Sequence, residues 1–214
     1  MYWGTLAPDP GVAGDLGQWL SPEEHTRSAR FGTPALRERY VIGRATLRAA
    51  LARHVDSSPD AVALSRGRRG RPQLRDPAGL DFNVSHTDRV MVIAIARDAA
   101  VGVDVERRDR VINTAGIARR CLTRAEQQAL ADLSEDDARR RVLQLWTCKE
   151  AMSKATGDAL SAPFRKLDVA HAPVLRLRAG PAPYTPEAWT LHAIAAPDEF
   201  FATLAVWSGR MSGG

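Results

Sequence analysis

Apolar and polar positions alternate along this chain with two different periods. Between residues 34 and 55, Leu36, Tyr40, Ile42, Leu47 and Leu51 fall on or near one stripe, which predicts a long helix. A second long helix is predicted over about 136–156, stopped by Gly157. Period-two and continuous apolar runs predict strands at 81–85, 90–96 and 100–106, and again at 174–178, 189–195 and 200–207. Ser21-Pro22-Glu23-Glu24 and Thr123-Arg124-Ala125-Glu126 have the form of capping boxes that open shorter helices. The stretch 57–79, rich in Pro, Gly and Arg, reads as loop. Each half thus carries a long helix followed by a hairpin, at 82–96 and at 189–207, and this rhythm points to a duplicated α+β unit.

Length and composition narrow the class. A chain of 214 residues suits one large domain or two of about 100 residues. Apolar residues make up 44% and charged residues 26%, which excludes a disordered or fibrous protein. The longest apolar run, 90–96, is far short of the roughly 20 residues of a membrane helix, so no membrane association is expected. Residues 1–14 show no basic start before an apolar core, so no secretory signal is expected. Cys121 and Cys148 form neither a disulfide framework nor a zinc spacing, and a cytoplasmic setting is expected. Net charge is +5, which favours anionic partners. The basic residues are 27 arginines and only three lysines, Lys149, Lys154 and Lys166. A lysine that persists in so arginine-rich a chain is a candidate for a task that needs lysine.

Three segments carry candidate chemistry. In Val101-Gly102-Val103-Asp104-Val105-Glu106, alternation puts the valines on one strand face and Asp104 with Glu106 on the other. Two carboxylates side by side suit a hard cation such as Mg²⁺, unless that face is simply solvated. In Trp146-Thr147-Cys148-Lys149-Glu150-Ala151-Met152-Ser153-Lys154, Trp146, Glu150 and Lys154 share one helix face. The plain alternative there is a surface Glu–Lys pair worth a few tenths of a kcal/mol. Phe82-Asn83-Val84-Ser85-His86 ends at a turn, with no G-x-S-x-G elbow around the serine, so a phosphate or ribose contact fits better than hydrolase chemistry. P-loop and Rossmann glycine patterns are absent.

Taken in order, Phe82–His86, Gly102-Val103-Asp104-Val105-Glu106 and the run from Trp146 to Lys154 resemble the 4′-phosphopantetheinyl transferase superfamily, in its Sfp-type branch. Its signatures G-x-D-x-E and W-x-x-K-E-A-x-x-K are matched in full. The resemblance implies a pseudo-dimer of two α+β halves, 1–101 and 102–214, with the active site between them and a monomer sufficient. It implies transfer of phosphopantetheine from coenzyme A to a serine of an apo-acyl or apo-peptidyl carrier protein, with Mg²⁺. On this reading Asp104, Glu106 and Glu150 match the metal acids, Glu150 is the general-base candidate, directly or through water, and Lys154 stabilises or protonates the departing phosphate. Arg27, Arg48, Arg71, Ser85 and His86 match positions that contact coenzyme A. Arg71 stands in Gly70-Arg71-Pro72 where many members have G-K-P. Carrier choice is expected in surface loops around 112–122, with nonribosomal peptide or polyketide synthases expected ahead of fatty-acid synthesis. The runs Arg66-Gly67-Arg68-Arg69 and Arg139-Arg140-Arg141 are expected to be solvated surface.

Two rivals are weaker. A Mg²⁺-dependent nuclease would place lysine two residues after the second acid, where this chain has Arg107 and Arg108 directly after Glu106. An arginine-rich RNA-binding module would interleave basic residues with aromatics, which are only 6% here, and no nucleic-acid partner is expected.

Overall fold

The computed structural model describes residues 1–6, 10–67, 70–77, 79–87, 89–171, 174–197 and 199–209. Its elements run β1 (Tyr2–Thr5), α1 (Pro10–Leu16), α2 (Pro22–Ser28), α3 (Pro34–Val55), β2 (Leu64–Arg66), β3 (Pro72–Leu74), β4 (Leu80–His86), β5 (Val90–Arg97) and β6 (Ala100–Arg107). There follow α4 (Thr114–Cys121), α5 (Arg124–Gln128), α6 (Glu135–Thr156), β7 (Asp168–Ala170), β8 (Arg176–Ala179), β9 (Trp189–Ala193) and β10 (Phe200–Trp207). Helix α3 matches its predicted span, with the Thr33 hydroxyl capping its start. Both predicted capping boxes are closed, at Ser21 with Glu24 and at Thr123 with Glu126.

The α+β class is as predicted, and the topology repeats. One three-stranded sheet has the order β1-β5-β4 and the other β6-β10-β9. Each consists of a leading strand, then a hairpin that returns with its second strand beside the leader. A 22-residue helix, α3 or α6, lies in the chain between leader and hairpin in each case. The second repeat opens with β6 at Ala100, so a division after residue 101 would cut that strand.

Two expectations are corrected. The stretch 57–79 contains a short hairpin, Leu64 opposite Leu74 and Arg66 opposite Pro72. Residues 114–121 form helix α4 rather than loop, with Ala118 and Cys121 buried in the core of the second half.

Each long helix packs on its own core. Leu47, Leu51 and Ala50 of α3 meet Phe82 and Ile93, and Val142, Leu145, Cys148 and Met152 of α6 meet Phe164, Leu167 and Leu191. A third cluster joins the sheets on their far side, through Val92, Val101, Val103, Val105 and Phe200. Strand β6 can lie flat on α6 because residue 102 is glycine. A Cβ there would sit 1.9 Å from the Ala151 carbonyl oxygen and 2.6 Å from the Ala155 nitrogen.

Strands β4 and β6 face each other without pairing through backbone. Side chains of β4 stand in for a partner's carbonyls. The Val101 N–H donates to Asp81 (2.8 Å), Val103 N–H to Asn83 Oδ1 (3.1 Å) and Val105 N–H to Ser85 Oγ (3.3 Å). Alternate residues of an extended strand point the same way, so three residues spaced by two can serve three amides spaced by two. This seam brings the end of β4 beside the acids of β6.

Candidate active site

Where the seam ends, the predicted residues of three elements meet. Asp104 of β6 is only 6% exposed, which excludes a solvated strand face. Its Oδ1 accepts from Ser85 Oγ at 2.8 Å and from Lys154 Nζ at 2.6 Å. Lys154 reaches it from α6 and also donates to Ser85 Oγ (3.0 Å) and the Val103 carbonyl (3.2 Å), so all three of its N–H groups are directed. Asp104 Oδ2 is buried with no protein partner.

Glu106, two residues along β6, is paired with Arg110. Burial and the nearby Asp104 charge together raise its carboxyl above the usual value, against the pull of Arg110 and Lys154. Glu150, one turn before Lys154 on α6, is pushed up to about 7 by burial, then by Asp104, with Lys154 opposing. Its Oε1 is likewise buried and unpartnered. Three acids therefore share one field, as expected. Among the described residues no three His, Cys, Asp or Glu side chains stand as a closed metal-ligand set. Two cations, Lys154 and Arg110, lie against the acids instead. The donor chemistry suits Mg²⁺ nonetheless: hard carboxylate oxygens, two of them buried and unshared.

The raised Glu150 value has a consequence for stability. A carboxyl that titrates higher in the folded than in the unfolded protein keeps its proton longer when folded. Its contribution is complete below about 4.5, the ordinary value, and is lost as pH rises to about 7. Discounted for partial exposure, the loss is roughly 2 kcal/mol. Thermal melts without divalent metal are expected to fall by about 5 °C more across that window in the wild type than in Glu150→Gln. Parallel curves for the two proteins would show that Glu150 is not perturbed.

A cleft of about 1980 Å³ opens beside the acids, between α2, α3, the 60–66 segment and the ends of β4 and β6. Asp104, Glu106, Ser85, His86 and Lys154 line its floor, and Arg27 its wall, where the guanidinium lies 5.8 Å from the centre of the Tyr40 ring. Glu150 is not among the lining residues.

Two predicted contacts are tied up by protein partners. Arg48 lines the cleft but is 2% exposed. Its Nε donates to Glu24 (2.7 Å), and its Nη1 donates to the carbonyls of Pro59 (3.0 Å), Asp60 (3.2 Å) and Val62 (3.0 Å). This is a brace between α3, α2 and the following loop. Arg71 leaves the cleft altogether and enters the seam, although its neighbours Gly70 and Pro72 line the cleft. Ser85, expected as a phosphate contact, is buried and saturated by Asp104, Lys154 and Val105, so it orients the acid.

Sequence reasoning missed several cationic residues of the cleft, including Arg30, Arg39, Arg44, Arg75 and Arg110. Arg66, expected as solvated surface, lines it too. Arg68 and Arg69 lie outside the described residues. Arg139 is half-buried and donates to the Arg108 carbonyl, so that run is not wholly solvated. Among 27 arginines nothing local marks the useful ones.

A family model described as the 4′-phosphopantetheinyl transferase superfamily matches residues 100–205, and one described as 4′-phosphopantetheinyl transferase, N-terminal, matches residues 9–98. The 4′-phosphopantetheinyl transferase HetI of Nostoc sp. is 31% identical over 195 residues, 90% of this chain and 80% of that protein. The 4′-phosphopantetheinyl transferase Sfp of Bacillus subtilis is 25% identical over 71% of this chain and 66% of its own. A holo-(acyl-carrier-protein) synthase of Bacillus anthracis, solved in complex with CoA, covers 50% of this chain and 94% of its own at 23% identity, with a TM-score of 0.39. On the two family models and the likeness to HetI and Sfp, across both halves, the chain belongs to the 4′-phosphopantetheinyl transferase superfamily, in its Sfp-type branch.

Proposed function

We propose that this chain moves the phosphopantetheine of coenzyme A onto a serine of an apo-carrier protein and releases adenosine 3′,5′-bisphosphate. The observation that carries the reading is the cluster of Asp104, Lys154 and Ser85 on the floor of an arginine-lined cleft, with Glu150 one helical turn before Lys154. A polyanion such as coenzyme A is drawn to a cleft whose walls hold Arg27, Arg30, Arg44, Arg66 and Arg75.

The carrier serine Oγ forms a bond to the phosphorus that bears the pantetheine. The bond from that phosphorus to the bridging oxygen breaks, and the adenosine-bearing phosphate leaves. The serine proton goes to Glu150, directly or through a water. Lys154 lines the cleft beside Asp104, and by turning one N–H from the Val103 carbonyl it answers the charge that grows on the departing oxygen. Its compact ammonium can give up a proton, which a guanidinium cannot. Asp104, Glu106 and Glu150 would hold Mg²⁺, which neutralises and orients the pyrophosphate when bound. The carriers served are those of nonribosomal peptide or polyketide synthases, and one chain suffices because both repeats are present in it.

Intact-mass measurement after incubation with Mg²⁺, coenzyme A and a panel of apo-carrier domains tests the reading. One phosphopantetheine gained on a carrier, lost on chelation, is the expected result. No gain on any carrier, with no binding of coenzyme A, would sink it.

A further inference from the structure

Arg71 has no place in the chemistry above, yet its guanidinium is the most connected group in the seam. Its Nη2 donates to Asp81 Oδ2 (2.8 Å), the Phe82 carbonyl (3.0 Å) and the Val101 carbonyl (3.0 Å), and its Nη1 to the Ala155 carbonyl (3.2 Å). These partners belong to the three elements that carry the site. Phe82 lies on β4 three residues before Ser85, Val101 on β6 three residues before Asp104, and Ala155 on α6 directly after Lys154. Asp81 Oδ2 also receives the Val101 N–H, so carboxylate and guanidinium close one knot between the repeats. Gly70, at a φ of +78°, provides the left-handed turn just before the side chain that enters the seam.

We propose that Arg71 is a positioning residue for the transferase site. It acts through the carbonyls of Phe82, Val101 and Ala155 to fix β4, β6 and α6 in register, and it does not touch coenzyme A. The inference rests on the function proposed above. The fork reaches β4 and β6 through Nη2 and α6 through Nη1, two donor atoms held in one plane; a lysine ammonium is a single donor atom on a flexible stem and could not hold both sets at once. Lysine at this position would keep the charge and lose the register.

Arg71→Lys separates this from a phosphate contact. The expected result is a kcat lowered roughly 10- to 100-fold, with KM for coenzyme A and its Kd by calorimetry within about twofold of wild type. Hydrogen exchange at the Val101, Val103 and Val105 amides is expected to quicken, in a protein whose circular dichroism shows it folded. Asp81→Asn, which weakens the same knot from the other side, should give the same split between kcat and KM. A raised KM and Kd with kcat preserved would overturn the proposal in favour of a phosphate contact. Unchanged kcat and exchange would overturn it as well. Exchange needs no turnover. A wild type that modifies no carrier and binds no coenzyme A would therefore sink the transferase reading alone, and the exchange result would still decide whether Arg71 sets the register.

Discussion

Glu150→Gln is expected to lower kcat by about 100- to 10,000-fold while leaving KM for coenzyme A within a fewfold of wild type. Glutamine keeps the length and shape of the side chain and removes its ability to take a proton. Glu150 does not line the cleft, so the change should not reach the cationic walls that bind coenzyme A. Its Oε1 has no protein partner, so the amide breaks no existing hydrogen bond at that atom. The loss should therefore fall on the step in which the serine proton moves. Time courses of carrier modification by intact mass would measure it. A variant within about threefold of wild type would mean that neither the basicity nor the charge of Glu150 is needed for the transfer.

Lys149→Met is expected to unfold more readily than wild type by about 3–5 kcal/mol. The Lys149 side chain is fully buried, with Nζ 2.5 Å from Glu126 Oε2, 2.9 Å from the Cys121 carbonyl and 3.1 Å from the Phe164 carbonyl. Burial pulls its ammonium below the ordinary lysine value, with the Glu126 charge opposing. Glu126 is itself committed, accepting from the Thr123 N–H (2.7 Å) and the Val169 N–H (2.9 Å). Methionine fills the volume and leaves that carboxylate alone in the core. Replacing Glu126 with glutamine in the same chain should recover part of the loss, because no unpaired charge then remains. Urea melts would show both effects. A single variant that loses less than about 1 kcal/mol would mean that Glu126 takes up a proton at little cost.

Both lysines stood out in the sequence for one reason, their rarity, and the structure gives them different work. Lys154 faces the acids and Lys149 the core, since successive helix positions five apart lie on different faces. The long helices, the β4–β5 hairpin and the capping boxes were legible because periodicity and caps are local signals. The β2–β3 hairpin was not, since three-residue strands, one ended by Gly67 and the other opened by Pro72, are too short to show alternation. That Arg48 and Arg71 are tied into the fold was illegible for a deeper cause. Their partners are largely backbone carbonyls, which every residue has, so no spacing in the sequence announces them. The order of the motifs revealed the acids and Lys154, but the cleft walls needed the folded chain, because the arginines come from α2, α3, β2 and the segments that follow α2, β3 and β6.

The join between β4 and β6 bears on what either repeat could do by itself. Each of these strands is the border of its own sheet, and in the intact chain side chains from one cover the open amides of the other. Cutting the chain after β5 would bare both borders. The leading half would present Asp81, Asn83 and Ser85 with no amides to receive. The trailing half would present an apolar strand, valine at every second position, with unsatisfied N–H groups ready to recruit another chain. Continuous covalent linkage thus keeps a self-associating strand permanently occupied, and the separated trailing half is the piece in which fibrils or inclusion bodies would begin.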